Sequence, residues 1–484
     1  MKLHCKKSSD LIFIDKAAGF STETLVEIYS QELGLKLFPF FSLDLPVTGS
    51  FALASSEKKA LELQNLKAQN LIQSKHWFIT AAVSDSEEMP AIDGAHFQRI
   101  KRSPFFELWQ CASHQLTDQE ICRLAAKLKL PVLGDHKNGG VPFPQLCLHQ
   151  IELNLPQEVS WTTPAPRHFE RLGLLTDQEL VQWLTEVDRR QRVYNFLAHK
   201  DESLRLVHLH QLRVDLFGSQ LWLYWYEERD PGPQDLERVE AFSRALGRPY
   251  LLKKMQNRGA RPGDKIHWLH EDWKSLWTAE EANLKFQISS DRGQSPGLFL
   301  DQRSNRAQLQ QKAKLKNILN LFAYTCGFSL SAALGEASQV TSVDVSKVFL
   351  DWGQVNFNLN QLDATRYEFF SQDSILFLKG CLKRNRKFDL IICDPPSFGR
   401  HKDQVFKLDR DLKELLTLAW DCLNSDGQIL FSCNYEKWDL KEMKNRIQKI
   451  LTSARLQPTL ATYDYELPEK EALLKSVWIL KGKS

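Results

Sequence analysis

Asn317-Ile-Leu-Asn-Leu-Phe-Ala-Tyr-Thr-Cys-Gly-Phe328 and Phe388-Asp-Leu-Ile-Ile-Cys-Asp-Pro-Pro-Ser-Phe398 decide the fold class. Each begins as a short apolar run of the buried-strand kind and breaks into a turn, at Gly327 in the first and at Asp394-Pro395-Pro396 in the second. Between them lie a small-residue helix, Ser329–Leu334, a strand Gln339–Val343 that ends on Asp344, and a strand Tyr367–Ser371 that leads to Asp373. After them, Gln428–Phe431 leads to Ser432-Cys433-Asn434. Strands alternating with helices from about Leu315 onward predict an α/β fold with a doubly wound, Rossmann-like parallel sheet. In such a sheet the loops after the strand C-termini form the ligand crevice. A turn around Gly327 lets backbone N–H groups approach a ligand. Asp344, about 20 residues further on, can hold two ribose hydroxyls by charge-assisted hydrogen bonds. Asp373 can accept from an adenine amino group, and Asp-Pro-Pro makes a stiff loop whose polar groups face the crevice. An Asp at a strand end is ordinarily a helix cap, so it is the five features in register that carry the reading. There is no G-x-G-x-x-G and no G-x-x-x-x-G-K-[ST], which disfavours NAD and ATP.

Upstream the pattern differs. Three prolines in Pro156–Pro166 predict an extended linker. Before it, β-rich runs at Leu11–Ile14, Phe51–Ala54, Trp77–Val83 and Phe106–Cys111 are interrupted by amphipathic helices around Glu57–Asn70 and Thr117–Leu128, which predicts an α+β domain. After it come a helix from about Thr176 to Phe196 and an antiparallel meander, Leu204–His210, Arg213–Phe217 and Gln220–Tyr226, turning at Gly218-Ser219. The expected domains are therefore 1–157, a small β-rich α+β domain at 168–283, and 284–484. The 484 residues, 43% hydrophobic and 25% charged, fit a globular chain and exclude disorder. No apolar run reaches the ~20 residues of a membrane span, and Met1–Asp10 has no signal-peptide core behind it. Nine scattered cysteines without a C-x-x-C pair speak against disulfides and a zinc site, and no metal is expected. The expected setting is a reducing cytoplasm. The net charge of +3 gives no bulk argument for nucleic acid.

From about Leu284 to the end, the chain resembles class I S-adenosylmethionine-dependent methyltransferases of bacterial large-subunit ribosomal RNA. The segments that carry this are Gly297-Leu-Phe-Leu-Asp-Gln-Arg303, Asn320-Leu-Phe-Ala-Tyr-Thr325, Ser342-Val-Asp-Val-Ser346 and Asp394-Pro-Pro-Ser-Phe398. Leu204–Tyr226 resembles the small β-domain that precedes the catalytic fold in that family. The resemblance implies that Asp301 and Arg303 close over the cofactor, S-adenosyl-L-methionine. It implies that Asn320, Phe322, Tyr324, Gly327, Asp344, Ser346 and Asp373 line it. Asp394, with Pro395, Pro396 and Ser397, would face the transferred methyl and the base. Two chemistries stay open. Guanine N7, favoured here, carries a free lone pair and needs only alignment with the methyl. Cytosine C5 needs a thiolate adding to C6, and Cys433 is the candidate.

The first 155 residues or so resemble the catalytic domain of bacterial RNA pseudouridine synthases. Leu11-Ile-Phe-Ile-Asp-Lys-Ala-Ala-Gly19, Ser42-Leu-Asp-Leu-Pro-Val-Thr-Gly49, Ser113-His-Gln115, Leu133-Gly-Asp135 and Leu148-His149 carry the likeness. Asp44 stands where the nucleophile would be. The arginine expected before the Leu-Asp pair is Ser42, the expected tyrosine is Trp77, and Ala112 and Thr117 replace the arginines that flank His-Gln. A buried aspartate needs a cation to stay ionised, and indole cannot act as a phenol does, so the resemblance implies a retired enzyme kept for RNA docking. Lys253, Lys254, Arg258, Arg261 and Lys265 form the cluster expected to meet RNA phosphates. A second cluster, Lys379, Lys383, Arg384, Arg386 and Lys387, is expected to be a solvated face. The expected partner is large-subunit ribosomal RNA, with no membrane. The rival readings are an enzyme that both isomerises uridine and methylates, and a non-catalytic ribosome-assembly factor.

Overall fold

A computed structural model describes residues 5–81, 86–114, 116–156, 160–193, 202–255, 267–292, 295–401, 404–459 and 474–482. Val83, Gln115, Phe196, Arg258, Arg261 and Lys265 lie outside the described residues. Among those described, no helix is long and apolar enough to cross a membrane.

The N-terminal part is a mixed ten-stranded sheet. Leu11–Lys16, Thr48–Ala54, Leu148–Asn154, Gln73–Ala81, Phe106–Ser113 and Ala95–Arg102 follow one another through its middle. Helices Glu57–Ala68 and Asp118–Lys127 sit where their apolar spacing put them. A third helix, Thr22–Leu33, was not read from the sequence, although its end signals are there. Ser21 caps it by accepting from Thr24 N–H at 3.1 Å, and Gly34 closes it at φ +64°.

The proline-rich seam is not a free linker. Trp161–Thr162 forms a short strand against Leu148–Asn154, the Trp161 ring stacks on Phe13 at 5.6 Å, and its Nε1–H donates to Ile14 O at 3.2 Å. An indole has too much apolar surface to leave on a solvated connection. Helix Gln178–Val193 then joins the N-terminal sheet to the next one. Arg192 pairs with the buried Asp15 carboxylate and donates to Pro164 O at 2.9 Å. Trp183, Leu184 and Val187 pack into the core of the following five-stranded sheet. That sheet holds the expected meander, Ser203–His208, Leu212–Phe217 and Gln220–Trp225, and extends it with Tyr250–Lys254 and His267–Leu269.

The hairpin Leu276–Glu281/Leu284–Ser289 straddles the boundary expected at 283/284. Its second strand binds downstream, because Lys285 and Gln287 N–H donate to Asn360 Oδ1 at 2.9 Å and Asn356 Oδ1 at 2.8 Å. Beyond it stands the doubly wound sheet. Its order is Glu368–Ser371, Gln339–Asp344, Asn317–Leu321, Phe388–Cys393, Leu423–Cys433, Lys475–Leu480, Arg455–Pro458; the first five are parallel, and Lys475–Leu480 runs antiparallel to both of its neighbours. The five parallel strands lie where their apolar runs predict, and the last two strands, Lys475–Leu480 and Arg455–Pro458, had no such expectation.

One buried ion pair ties the hairpin to this sheet's entrance helix, Arg303–Lys312. Arg306 grips Glu281 through two bonds of 2.6 Å and donates to Phe299 O at 2.8 Å, with both side chains almost fully buried. Removing Arg306 takes both short bonds from the buried Glu281 carboxylate and leaves it the longer contact with Arg303 at 3.5 Å, at a cost of up to about 3–5 kcal/mol. Arg306→Met should therefore lower the melting temperature sharply, and adding Glu281→Gln to it should recover part of the loss. Equal melting temperatures for parent and Arg306→Met would contradict the anchoring role.

Candidate active site

The crevice at the carboxyl ends of the parallel strands is bounded by residues 297–302, 322–326, 344–346 and 394–397, and two of its loops carry most of its polar groups. The first, residues 322–326, is strained. Phe322, Tyr324 and Cys326 take φ of +56°, +49° and +62°, although none is glycine. Alternating left-handed residues are sparsely populated and each costs on the order of 1–3 kcal/mol, so the surroundings must over-determine the loop. They do so from every side. Tyr324 N–H donates to Asp344 Oδ2 at 2.9 Å, and Thr325 Oγ1 donates to Gly297 O at 2.6 Å. Asn356 Nδ2 donates to Thr325 O at 3.0 Å. Helix Lys347–Leu359 approaches so closely that a Cβ on Gly353 would lie 2.4 Å from Cys326 Sγ. Gly297, at φ +109°, gives the same close approach to Trp352.

Gly327 plays a smaller part than expected. It opens helix Gly327–Leu334 outside the left-handed region, and a Cβ there would meet nothing nearer than 3.6 Å. Asn320 is buried and donates to Ser329 Oγ at 2.9 Å, so it braces strand against helix beneath the crevice. The Tyr324 hydroxyl donates to Ser295 O at 3.3 Å, its ring sits among Phe299, Phe349 and Trp352, and Phe322 packs on Phe406.

Asp344 ends its strand as expected, and its second oxygen accepts from Ser346 N–H at 2.9 Å. Ser346 caps the next helix. Asp373 also caps a helix, accepting from Leu376 N–H at 2.9 Å, the ordinary use of an aspartate at a strand end.

The second loop carries Asp394. Its Oδ1 accepts from Ser432 Oγ at 2.8 Å, and Ser397 Oγ donates to Asn434 Oδ1 at 3.3 Å. Desolvation raises the Asp394 carboxyl to about 6, opposed by hydrogen bonds from Ser432 and Gln302 and by the Arg306 charge. Desolvation, reinforced by the nearby Asp394 charge, raises Asp301 to about 7. The two carboxyls are close enough for the charge of Asp394 to act on Asp301.

Two expected site residues face elsewhere. Arg303 donates to Ser203 O and lies 3.5 Å from Glu281 Oε2, so it joins the five-stranded sheet to the entrance helix instead of reaching the crevice. Cys433 is 1% exposed, with its Sγ 3.7 Å from Met443 Sδ in the core beneath the sheet. Desolvation raises its thiol above the ordinary range. Strand alternation is the cause: Ser432 faces Asp394, so Cys433 must face away. The residues that the sequence reading passed over are Gln302, Asn305 and Ser432, which carry no charge and match no motif rule, and Asn356 and Gly353, which act on the loop from a helix.

The described part of the basic cluster is committed locally. Lys254 pairs with Asp230 at 2.6 Å, and Lys253 lies over the Trp222 ring at 5.8 Å. In the second cluster Lys379 pairs with Glu414 at 2.7 Å and Arg386 with Glu368.

In the N-terminal part, Asp44 lines a cleft of about 880 Å³. Its N–H donates to Asp118 Oδ2 at 2.8 Å, and the buried Lys16 ammonium is held by the carbonyls of Asp44 at 3.0 Å and Val47 at 2.7 Å. Burial lowers Lys16 to about 7, against the raising charges of Asp118 and Asp44. Ser42 is exposed at the expected arginine position, and Trp77 Nε1–H is bound to Gln110 Oε1 at 3.2 Å.

The raised Asp394 carboxyl has a consequence for stability. The folded chain holds this proton more tightly than the unfolded chain, whose carboxyl titrates near ~4, so stability falls as pH rises from there through about 6. Asp394→Asn keeps an acceptor for Ser432 and removes the charge. It should raise the melting temperature at pH 8 and leave it unchanged near pH 4, read by thermal melts at the two values; no gain at pH 8 would contradict the burial assigned to Asp394.

Comparison with known proteins bears on the family and the fold. The profile of the S-adenosylmethionine-dependent methyltransferase family matches residues 233–439. The ribosomal RNA large subunit methyltransferase K of Neisseria meningitidis serogroup B is 38% identical over 242 residues, which cover 48% of this chain and 67% of that protein. The ribosomal RNA large subunit methyltransferase K/L of Pseudoalteromonas atlantica is 42% identical over 164 residues, 34% of this chain and 23% of that protein. The chain spans between 23% and 32% of the length of four such K/L relatives. The crystal structure of SMU.776 complexed with SAH superposes with a TM-score of 0.54 at 25% identity, covering 62% of this chain and 80% of that one. With a matching profile, a relative aligned over two thirds of its length and the strand order described above, the chain belongs to the S-adenosylmethionine-dependent methyltransferase family.

Proposed function

We propose that this chain methylates a base of large-subunit ribosomal RNA, and that the base is guanine, at N7. The names of the K and K/L relatives support the RNA, and the observation that carries the choice of atom is the Ser432/Cys433 alternation. A cytosine-C5 route needs a thiolate at the base, and the thiol that the sequence offers for it lies in the core, pushed toward its neutral form. The cofactor, when bound, supplies an electrophilic methyl on a sulfonium. Asp344 would accept the ribose hydroxyls, and Asp373 would take the adenine amino group. N7 brings its own lone pair and loses no proton, so the protein need only align it and exclude water. Methylation leaves a positive charge on the purine ring, and ionised Asp394 would stabilise it. Phe398, 58% exposed just after the Asp-Pro-Pro loop, would offer a face to the base.

In this reading the 1–157 region is a retired uridine isomerase that serves RNA docking, with the 168–283 region as a spacer and the 284–484 region as the catalyst. Asp44 has a carboxylate on its own N–H and Ser42 at the place of its arginine.

Mass spectrometry of ribosomal RNA nucleosides from a deletion strain should show the loss of one N7-methylguanosine; loss of a 5-methylcytidine would overturn the choice of atom. In radiolabelled transfer to large-subunit RNA, Cys433→Ala should keep most activity while Asp394→Ala loses it. Calorimetric titration of Asp344→Ala with S-adenosylmethionine should show a loss of about 2–3 kcal/mol, the worth of charge-assisted bonds. Unchanged affinity would remove Asp344 from the site.

The purified chain should form no pseudouridine on ribosomal RNA fragments. Isomerised uridine that disappears in Asp44→Ala would restore the bifunctional reading.

A further inference from the structure

A one-way chain of hydrogen bonds runs beneath the crevice and ends on Asp394. Asn305 Nδ2 donates to Gln302 Oε1 at 2.6 Å and to Ser476 Oγ at 2.9 Å. Gln302 Nε2 donates to Ser432 Oγ at 2.9 Å, and Ser432 Oγ donates to Asp394 Oδ1 at 2.8 Å. Asn305, Gln302 and Ser432 are buried, with exposures of 3%, 3% and 0%. The direction is forced by the donor inventory. Gln302 spends its carbonyl on the Asn305 amide, so its NH₂ is what faces Ser432. The serine oxygen accepts that hydrogen, and its own proton goes to the carboxylate.

We infer that Ser432, which donates to Asp394 Oδ1, and Gln302, which donates to Ser432 and is also a hydrogen-bond donor to the carboxyl, are positioning residues that hold the Asp394 carboxylate as an acceptor aimed at the substrate. This rests on the methyltransferase reading of the crevice and deepens it. An acceptor so held selects a base that presents a hydrogen-bond donor or gains positive charge at that point. It also explains the separation of two neighbours in Leu300-Asp301-Gln302: Asp301 contributes charge close to Asp394, and Gln302 contributes direction.

The charged and titratable groups around the carboxylate come from several elements. Asp301 and Arg306 stand on the entrance segment, with Glu281 of the hairpin bound to Arg306. The paired Arg205 and Asp215 of the five-stranded sheet act on Asp301. The Cys393 and Cys433 thiols lie at the neighbouring strand positions and both are raised by burial. None of these reaches Asp394 Oδ1 as Ser432 does. Removing the serine proton should therefore destabilise the ionised carboxylate and move its titration upward.

The test uses the full chain with Ser432→Ala, Ser432→Thr and Gln302→Leu. Titration of the Asp394 carboxyl carbon, assigned by NMR through Asp394→Asn, should show its midpoint about one pH unit higher in Ser432→Ala and Gln302→Leu, and at the parent value in Ser432→Thr. Methyl transfer against pH should show the acid limb moved by the same amount, with kcat reduced about tenfold at pH 5, about twofold at pH 7, and KM for RNA within about twofold. Gln302→Leu approaches the chain from outside the sheet, so it keeps the test open if Ser432→Ala does not fold. A parent midpoint in both folded variants overturns the inference. The expected shift in a chain that transfers no methyl to RNA leaves the hydrogen-bond chain standing and overturns the functional reading instead.

Discussion

The carboxylate of Asp344 takes Tyr324 N–H with one oxygen and Ser346 N–H with the other, and the crevice depends on that clamp. The loop it holds would not keep its shape alone. Phe322, Tyr324 and Cys326 all lie in the left-handed region, where a side chain is an energetic liability. Three groups from outside the loop close the shape: Gly297 O, Asn356 and the bare surface at Gly353. Strain of this kind persists where a backbone must meet a ligand in one conformation, and here it lies at the carboxyl end of Asn317–Leu321, the middle one of the five parallel strands.

The second constraint is register. Cys393 stands opposite Phe431, so Asp394 and Ser432 emerge together at the strand ends, and Cys433 turns to the opposite face. One residue of slip would exchange serine for cysteine beside the carboxylate and change the chemistry available to the site. The antiparallel strand Lys475–Leu480 fixes the register from the other side, with Ser432 opposite Ser476. The same Ser476 accepts from Asn305, so sheet register and the polar floor are held by one set of residues.

What was legible in the sequence and what was not divide along physical lines. The parallel strands, Asp344 at a strand end and the Asp-Pro-Pro loop could be read because apolar runs and turn residues are local signals. The left-handed loop could not, because the rule that glycine marks positive φ pointed to Gly327, while the neighbours impose the strain on Phe322, Tyr324 and Cys326. Arg303 was misplaced for a related reason: a motif neighbour of Asp301 was assigned to the same face, but the single 3₁₀ turn Leu300–Gln302 sends it to Ser203 O. Cys433 and Ser432 could be separated only by knowing which strand residue lies opposite Asp394. The seam at Pro156–Pro166 misled through its prolines, since Trp161 carries enough apolar surface to pin the stretch to the sheet.

The central claim is that one crevice, bounded by residues 297–302, 322–326, 344–346 and 394–397, holds the methyl donor with its sulfur beside Asp394. A crystal structure of the full chain with S-adenosylhomocysteine tests this most directly. The account predicts ribose hydroxyls on Asp344, the adenine amino group near Asp373, and the sulfur facing the Asp394-Pro395-Pro396 loop. Ligand density elsewhere, or in this crevice with the sulfur turned away from Asp394, would contradict it.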